Sequence, residues 1–143
     1  PALIAANSQN NPDIVQTEQR IAEVAERLPR LWAERTAAEL GFGVRAAQTN
    51  HEGQMLDWIH ESVGEISGIV INPGGWTHTS VALADALVVP DVPILEVHIS
   101  NVHRREAFRH HSYVSAVADT VIVGAGVDGY ALAVEWLARR VRA

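Results

Sequence analysis

At 143 residues the chain is long enough for one domain with its own core, and residues 1–143 are read as that single domain. Seventeen acidic against eleven basic residues give a formal charge of −6, which disfavours a phosphate backbone or an anionic membrane, so neither nucleic acid nor membrane is expected as a partner. The absence of cysteine excludes disulfides, zinc–thiolate centres and cysteine nucleophiles; with no apolar run near the roughly 20 residues that span a bilayer and no leader-like N-terminus, a cytoplasmic chain is expected.

Short apolar runs rich in β-branched residues recur at Ala2–Ala6, Val44–Gln48, Gly68–Asn72, Val92–Val97 and Thr120–Val123. Helical patterns, with apolar residues three and four apart, follow them at Thr17–Leu40, Glu52–Val63, Thr79–Leu87, His103–Phe108 and Val127–Val141. Pro29 interrupts the first of these and predicts a kink or break there. Strands apolar on both faces that alternate with helices make a parallel sheet covered on both sides, so the expectation is a flavodoxin-like three-layer α/β sandwich on a five-stranded parallel sheet. In such a sheet ligands bind beyond the carboxyl ends of the strands. The polar clusters fall at those ends.

Asn72-Pro73-Gly74-Gly75 leaves the third strand through two residues without a β-carbon, which lets a ligand approach the backbone closely. Thr77 or Thr79 would cap the helix that follows; an ordinary strand-to-helix turn explains the same residues. Glu96 and His98 lie on one face of the next strand end, because side chains alternate with period two. A carboxylate beside an imidazole fixes its tautomer and raises its proton affinity, which suits a general acid; a surface pair closing a strand is the plainer alternative. Seven histidines raise the question of a metal, yet no spacing matches a known motif: His51-Glu52-Gly53 stops short of H-E-x-x-H, and no metal or other cofactor is expected. Gly124-Ala125-Gly126-Val127-Asp128-Gly129 satisfies G-x-G-x-x-G but precedes the last helix rather than the first, so tight helix–strand packing is the better account.

Taken together, Asn72 to Ser80, Glu96 to His103 and Arg105 to Tyr113 resemble the type II 3-dehydroquinate dehydratases of the shikimate pathway, over Gln48 to Leu137. The resemblance implies a lyase that eliminates water from 3-dehydroquinate or a closely related cyclic hydroxy-keto carboxylate. It makes His98 the acid that protonates the departing hydroxyl and Glu96 its orienter. Asn72 and His78 would hold substrate hydroxyls, with Gly74 and Gly75 in the same motif; Ile99 and Ser100 would hold the carboxylate through backbone amides and the serine hydroxyl, and Arg109 would complete its recognition. Asp85 would reach a neighbouring subunit's pocket. The partners implied are a small-molecule carboxylate substrate and further copies of the chain, as a dodecamer of four trimers, with Trp58, Trp76 and Trp136 as candidate interface residues.

The family's N-terminal lid carries an arginine and a tyrosine, the latter acting as phenolate base. Here no tyrosine precedes Tyr113. The tyrosine position falls either at Val15 or near Ile21 to Glu23; Arg20 is the one arginine in range, and Asn7 or Asn10 keeps the role of the family's pocket asparagine. A water, Glu18 or a residue of another subunit is left as the base. A diverged lyase or isomerase on another small polar carboxylate, and a non-catalytic relative, stand as alternatives.

Overall fold

The computed structural model describes residues 27–142. Helix α1 runs through residues 27–39, α2 spans Glu52–Glu61, β1 Ile69–Ile71, α3 Val81–Leu87, β2 Ile94–His98, β3 Thr120–Val123 and α4 Asp128–Arg142. Three short 3₁₀ turns, Gly74–His78, Val102–Arg104 and Ala107–His110, occupy the connections at one end of the sheet.

The strands are parallel in the order β1-β2-β3, with Ile71 opposite Glu96 and His98 opposite Val123. Alternation divides their side chains between two cores. Ile69, Ile71 and Ile94 face α2 and α3, where Ile59, Leu83, Ala86, Leu87 and Val114 close the packing. Val70, Leu95, Val97 and Ile122 face α4 and meet Ala133, Tyr130 and Trp136. Burying each such aliphatic side chain stabilises the fold by about 1.5–3 kcal/mol, so both faces of so short a sheet contribute. The layers are those expected. Trp76 and Trp136, candidates for an interface, are partly buried against the chain's own two cores.

Gly129 accounts for the glycine-rich match before α4. A β-carbon there would stand 3.1 Å from Val97 Cγ1, so the bare backbone lets the helix settle onto β2. Gly124 and Gly126 have φ of +81° and +60°, a left-handed turn that side chains disfavour. Their amides donate to the carbonyls of His98 and Ile99 at 3.1 and 3.0 Å, tying the end of β2 to the end of β3. The motif serves packing and turn geometry.

Three described strands replace the five expected for the whole chain. Val44–Gln48 forms no strand. The first strand, expected at Ala2–Ala6, lies outside the described residues. The helix expected over His103–Phe108 is instead two 3₁₀ turns, and α3 begins at Val81 rather than Thr79 because Ser80 is its cap, accepting from the Leu83 amide at 2.9 Å. No break falls at Pro29: residues 27–39 are continuous helix through it. Among those residues, no helix is long and apolar enough to cross a membrane.

Candidate active site

Glu96 stands in the middle of β2 on the α3 side and is fully buried, with 0% of its surface exposed; His98, which ends the strand two residues on, retains 7%. An isolated carboxylate in that position would cost several kcal/mol, but this one is surrounded by donors. His98 Nε2 lies 2.6 Å from Oε1. Thr77 Oγ1 donates to the same oxygen at 2.5 Å and Ser115 Oγ donates to Oε2; Ser112 Oγ, 3.2 Å from Oε1 and 2.6 Å from Thr77 Oγ1, has a single hydrogen to give to one of them. Burial pushes the Glu96 carboxyl up, but the hydrogen bonds from His98, Ser115 and Thr77, together with the His98 charge, outweigh it and hold the group below its ordinary value. Glu96 is therefore an anion near neutral pH. An ionised carboxylate can only accept, so His98 Nε2 carries a hydrogen and Nδ1 is the atom left to exchange a proton.

His78 has the complementary tautomer. Its Nδ1 lies 2.7 Å from the carbonyl oxygen of His111 and must donate, which leaves Nε2 as acceptor. The two imidazoles are near-parallel, centroids 6.5 Å apart and 14° from coplanar, and Phe108 packs edge-on against His78 at 6.0 Å. Asn72 follows β1. Its Oδ1 accepts from the Gly74 amide at 3.1 Å and its Nδ2 donates to the Tyr130 hydroxyl at 2.8 Å. Gly74 has φ of +56°, so this turn needs glycine there. Burial raises the Tyr130 hydroxyl above its ordinary value, against a smaller opposing effect of Asn72. Tyr130 is a phenol, not a phenolate, near neutral pH.

Beyond His98 the chain is open. Ile99 is 43% exposed and Ser100 is exposed, with Arg105 Nη1 3.5 Å from the Ser100 hydroxyl. Arg109 Nε donates to Glu106 Oε2 at 2.8 Å and its guanidinium lies 4.9 Å from the Phe108 ring centre. The nearby guanidiniums and Glu106's own backbone amide, the latter the largest cause, keep the Glu106 carboxyl low.

The structure thus brings Asn72, Gly74, Gly75, His78, Glu96 and His98 to one edge of the sheet, with Ile99, Ser100 and the Arg105–Arg109 segment continuing from it. Asp85 stands apart, on the exposed face of α3 with Val81; Val88 and Val89, just past the helix end, are exposed too. Asn7, Asn10, Glu18 and Arg20 lie outside the described residues. Thr77 caps no helix; it is buried and bonded to Glu96. Four residues around the site had no place in the sequence reading of the pocket: Thr77, Ser112, Ser115 and Tyr130. Thr77 was legible as part of the T-H-T-S run, but Ser112 and Ser115 come from an irregular loop with no periodicity to point them inward. Among the described residues no group of three or more histidine, aspartate or glutamate side chains is placed to hold a metal ion.

A 3-dehydroquinate dehydratase 2 from Pseudomonas aeruginosa is 55% identical over 128 residues, covering 82% of this chain and 86% of that protein. A 3-dehydroquinate dehydratase from Cereibacter sphaeroides is 52% identical over 126 residues, covering 88% and 82%. The crystal structure of type II dehydroquinase from Propionibacterium acnes superposes with a TM-score of 0.73 at 46% identity, covering 78% of this chain and 82% of that one. The sequence profile of the family described as dehydroquinase class II matches residues 12–138, and with these likenesses over the same sheet edge the chain belongs to the class II dehydroquinase family.

Proposed function

We propose that this chain is a hydro-lyase that eliminates water from 3-dehydroquinate or a closely related cyclic hydroxy-keto carboxylate, with His98 as general acid. The observation that carries the reading is the buried Glu96–His98 pair at the carboxyl edge of the sheet, in a chain whose relatives are named 3-dehydroquinate dehydratases. In the elimination a base takes the proton α to the ketone, the electrons pass into an enolate, the C–O bond breaks, and the departing hydroxyl leaves as water with a proton from His98 Nδ1. Glu96 keeps the Nε2 hydrogen in place through the step. Asn72 and His78 bind substrate hydroxyls, His78 through its Nε2 acceptor. Ile99, Ser100 and Arg109 take the carboxylate, with Gly74 and Gly75 allowing the ring close to the backbone.

Tyr130 does not supply the base, since burial keeps it protonated. That role goes to a water, to Glu18, or to a neighbouring copy, and Asn7 and Asn10 are assigned to the same side of the pocket. The assembly we propose is a dodecamer of four trimers in the cytoplasm; exposed Val81 at the start of Asp85's helix α3 and exposed Val88 and Val89 just past its end support an intersubunit role for that region. One observation favours a second reading, a diverged lyase or isomerase on another small polar carboxylate: no tyrosine precedes Tyr113.

The deciding experiment follows the absorbance of the conjugated enone with purified protein and 3-dehydroquinate. Turnover that is lost in His98→Asn supports the dehydratase. Binding of a cyclic hydroxy-carboxylate without turnover supports the second reading. Replacing residues 7–15 by a lid with the family's arginine and tyrosine is expected to raise dehydroquinate turnover, by up to the ~10²–10⁴-fold that a positioned base contributes.

A further inference from the structure

Among the described residues His98 is the one ionisable side chain within bonding distance of Glu96, and any charge it carries is transient in a proton-transfer cycle. The remaining donors are neutral hydroxyls from two other segments: Thr77 in the turn after β1 and Ser115 in the loop before β3, with Ser112 braced against Thr77. These are themselves organised. Thr77 Oγ1 and Ser112 Oγ are 2.6 Å apart, the Ser115 amide donates to Ser112 Oγ at 2.8 Å, and the Tyr113 amide donates to the Thr77 carbonyl at 2.8 Å, locking the loop to the turn. Among the described residues no buried side-chain polar atom lacks a partner.

We propose that Thr77, Ser112 and Ser115 are positioning residues that hold Glu96 ionised in both protonation states of His98, so that the imidazole keeps its Nε2 hydrogen and exchanges protons only at Nδ1. The argument is one of charge balance. Were His98 the sole support of the buried carboxylate, loss of the His98 proton from Nδ1 would leave an uncompensated anion, and the cheapest relief would be transfer of the Nε2 hydrogen to Glu96, with the next proton taken up at the wrong nitrogen. Hydroxyl donors do not change charge when His98 does. Thr77 and Ser115, one on each carboxylate oxygen, supply that constancy, with Ser112 holding Thr77 from behind, because hydrogen bonds to charged groups are individually among the stronger ones.

This inference rests on His98 as the proton-exchanging residue, and its test is readable without turnover. In nitrogen-15 imidazole spectra of the full-length protein recorded across a pH titration, the deprotonated form of His98 should carry its one hydrogen on Nε2 and leave Nδ1 bare. In Ser115→Ala and in Thr77→Val, a near-isosteric change, the Nδ1–H tautomer should gain population, whereas Thr77→Ser should restore the original spectrum. With 3-dehydroquinate, each hydroxyl-deleting variant should lower kcat about tenfold while KM moves less than about twofold. A neutral wild-type imidazole that carries its hydrogen on Nδ1, variants whose neutral tautomer ratio does not move, or a Thr77→Ser as altered as Thr77→Val would each overturn the proposal. Should Thr77→Val fail to fold, the half-buried Ser115→Ala and the wild-type spectrum still decide it. If the wild type does not turn over dehydroquinate, the substrate assignment fails, and the spectra still test the hydroxyl cage.

Discussion

Two stretches of the same strand end, separated by one peptide bond, are built on opposite principles. In β2 the two polar side chains, Glu96 and His98, are buried and bonded to each other; from Ile99 to His111 the chain lies largely in solvent, in 3₁₀ turns and exposed charge pairs. Burial makes the Glu96–His98 bond strong and fixes the nitrogen that exchanges protons. Exposure makes the Arg109–Glu106 pair weak, since such pairs in water gain little, and an arginine held weakly can exchange Glu106 for a substrate carboxylate at small cost. The proton-transfer half of the site is thus preformed, whereas the anion-recognising half is exchangeable.

The largest effect that sharpens this contrast is expected from His98→Asn. Asparagine keeps an N–H toward Glu96, so the carboxylate is not orphaned and the fold should survive with an unchanged circular dichroism spectrum and oligomeric state. Loss of the proton donor should cost about 10²–10⁴-fold in kcat. An activity within tenfold of the wild type would show that another group protonates the leaving hydroxyl.

On the open side, Arg109→Ala should act on binding instead. A charge-assisted contact to a carboxylate is worth about 1.5–3 kcal/mol, so the Kd of a cyclic hydroxy-carboxylate should rise about 10- to 100-fold by titration calorimetry, with no loss of thermal stability because the Arg109–Glu106 pair is exposed. Unchanged affinity would remove Arg109 from the site and turn attention to Arg105, whose Nη1 already lies 3.5 Å from the Ser100 hydroxyl.

Acid should distinguish the two halves in stability as well. Glu96 is held below its unfolded value of about 4.3. A depressed carboxyl contributes stability that is fully present above the unfolded pKa and is lost as pH falls through the folded one. The stability of the wild type should therefore decline below about pH 4.3, and Glu96→Gln should flatten that decline. A Glu106→Gln variant, altering an exposed carboxylate on the open side, should unfold in acid as the wild type does. Equal flattening by both substitutions would mean that burial does not set the difference.

The same contrast explains what was legible in the sequence. Glu96 and His98 could be placed together because a strand has a fixed period of two, and β3 could be bounded at Thr120–Val123 because four β-branched residues stand between turn residues. The layers followed from strands apolar on both faces. The hydroxyl cage could not be read this way: Ser112 and Ser115 reach Glu96 through a loop whose path is set by tertiary contacts such as the Tyr113 amide on the Thr77 carbonyl. Thr77 was placed at a helix start by its residue type, yet Ser80 takes the cap and frees Thr77 for the carboxylate. Val44–Gln48 has the composition of a strand, yet it forms none.

The smallest expected effect concerns Tyr130, which reaches the site from α4 on the opposite face of the sheet. Its hydroxyl accepts from Asn72 Nδ2 at 2.8 Å, while Asn72 Oδ1 is already engaged by the Gly74 amide. Tyr130→Phe removes one neutral hydrogen bond, and because Asn72 is only half-buried, water can take the vacated place. A loss of about 0.5–1.5 kcal/mol in stability is expected, together with a severalfold rise in KM as Asn72 gains freedom to rotate, and little change in kcat. The measurement also tests the assignment of the base. Burial keeps the Tyr130 hydroxyl protonated near neutral pH, so a phenylalanine there should leave the chemical step intact; a fall in kcat as large as that of His98→Asn would instead make Tyr130 the residue that removes the α-proton.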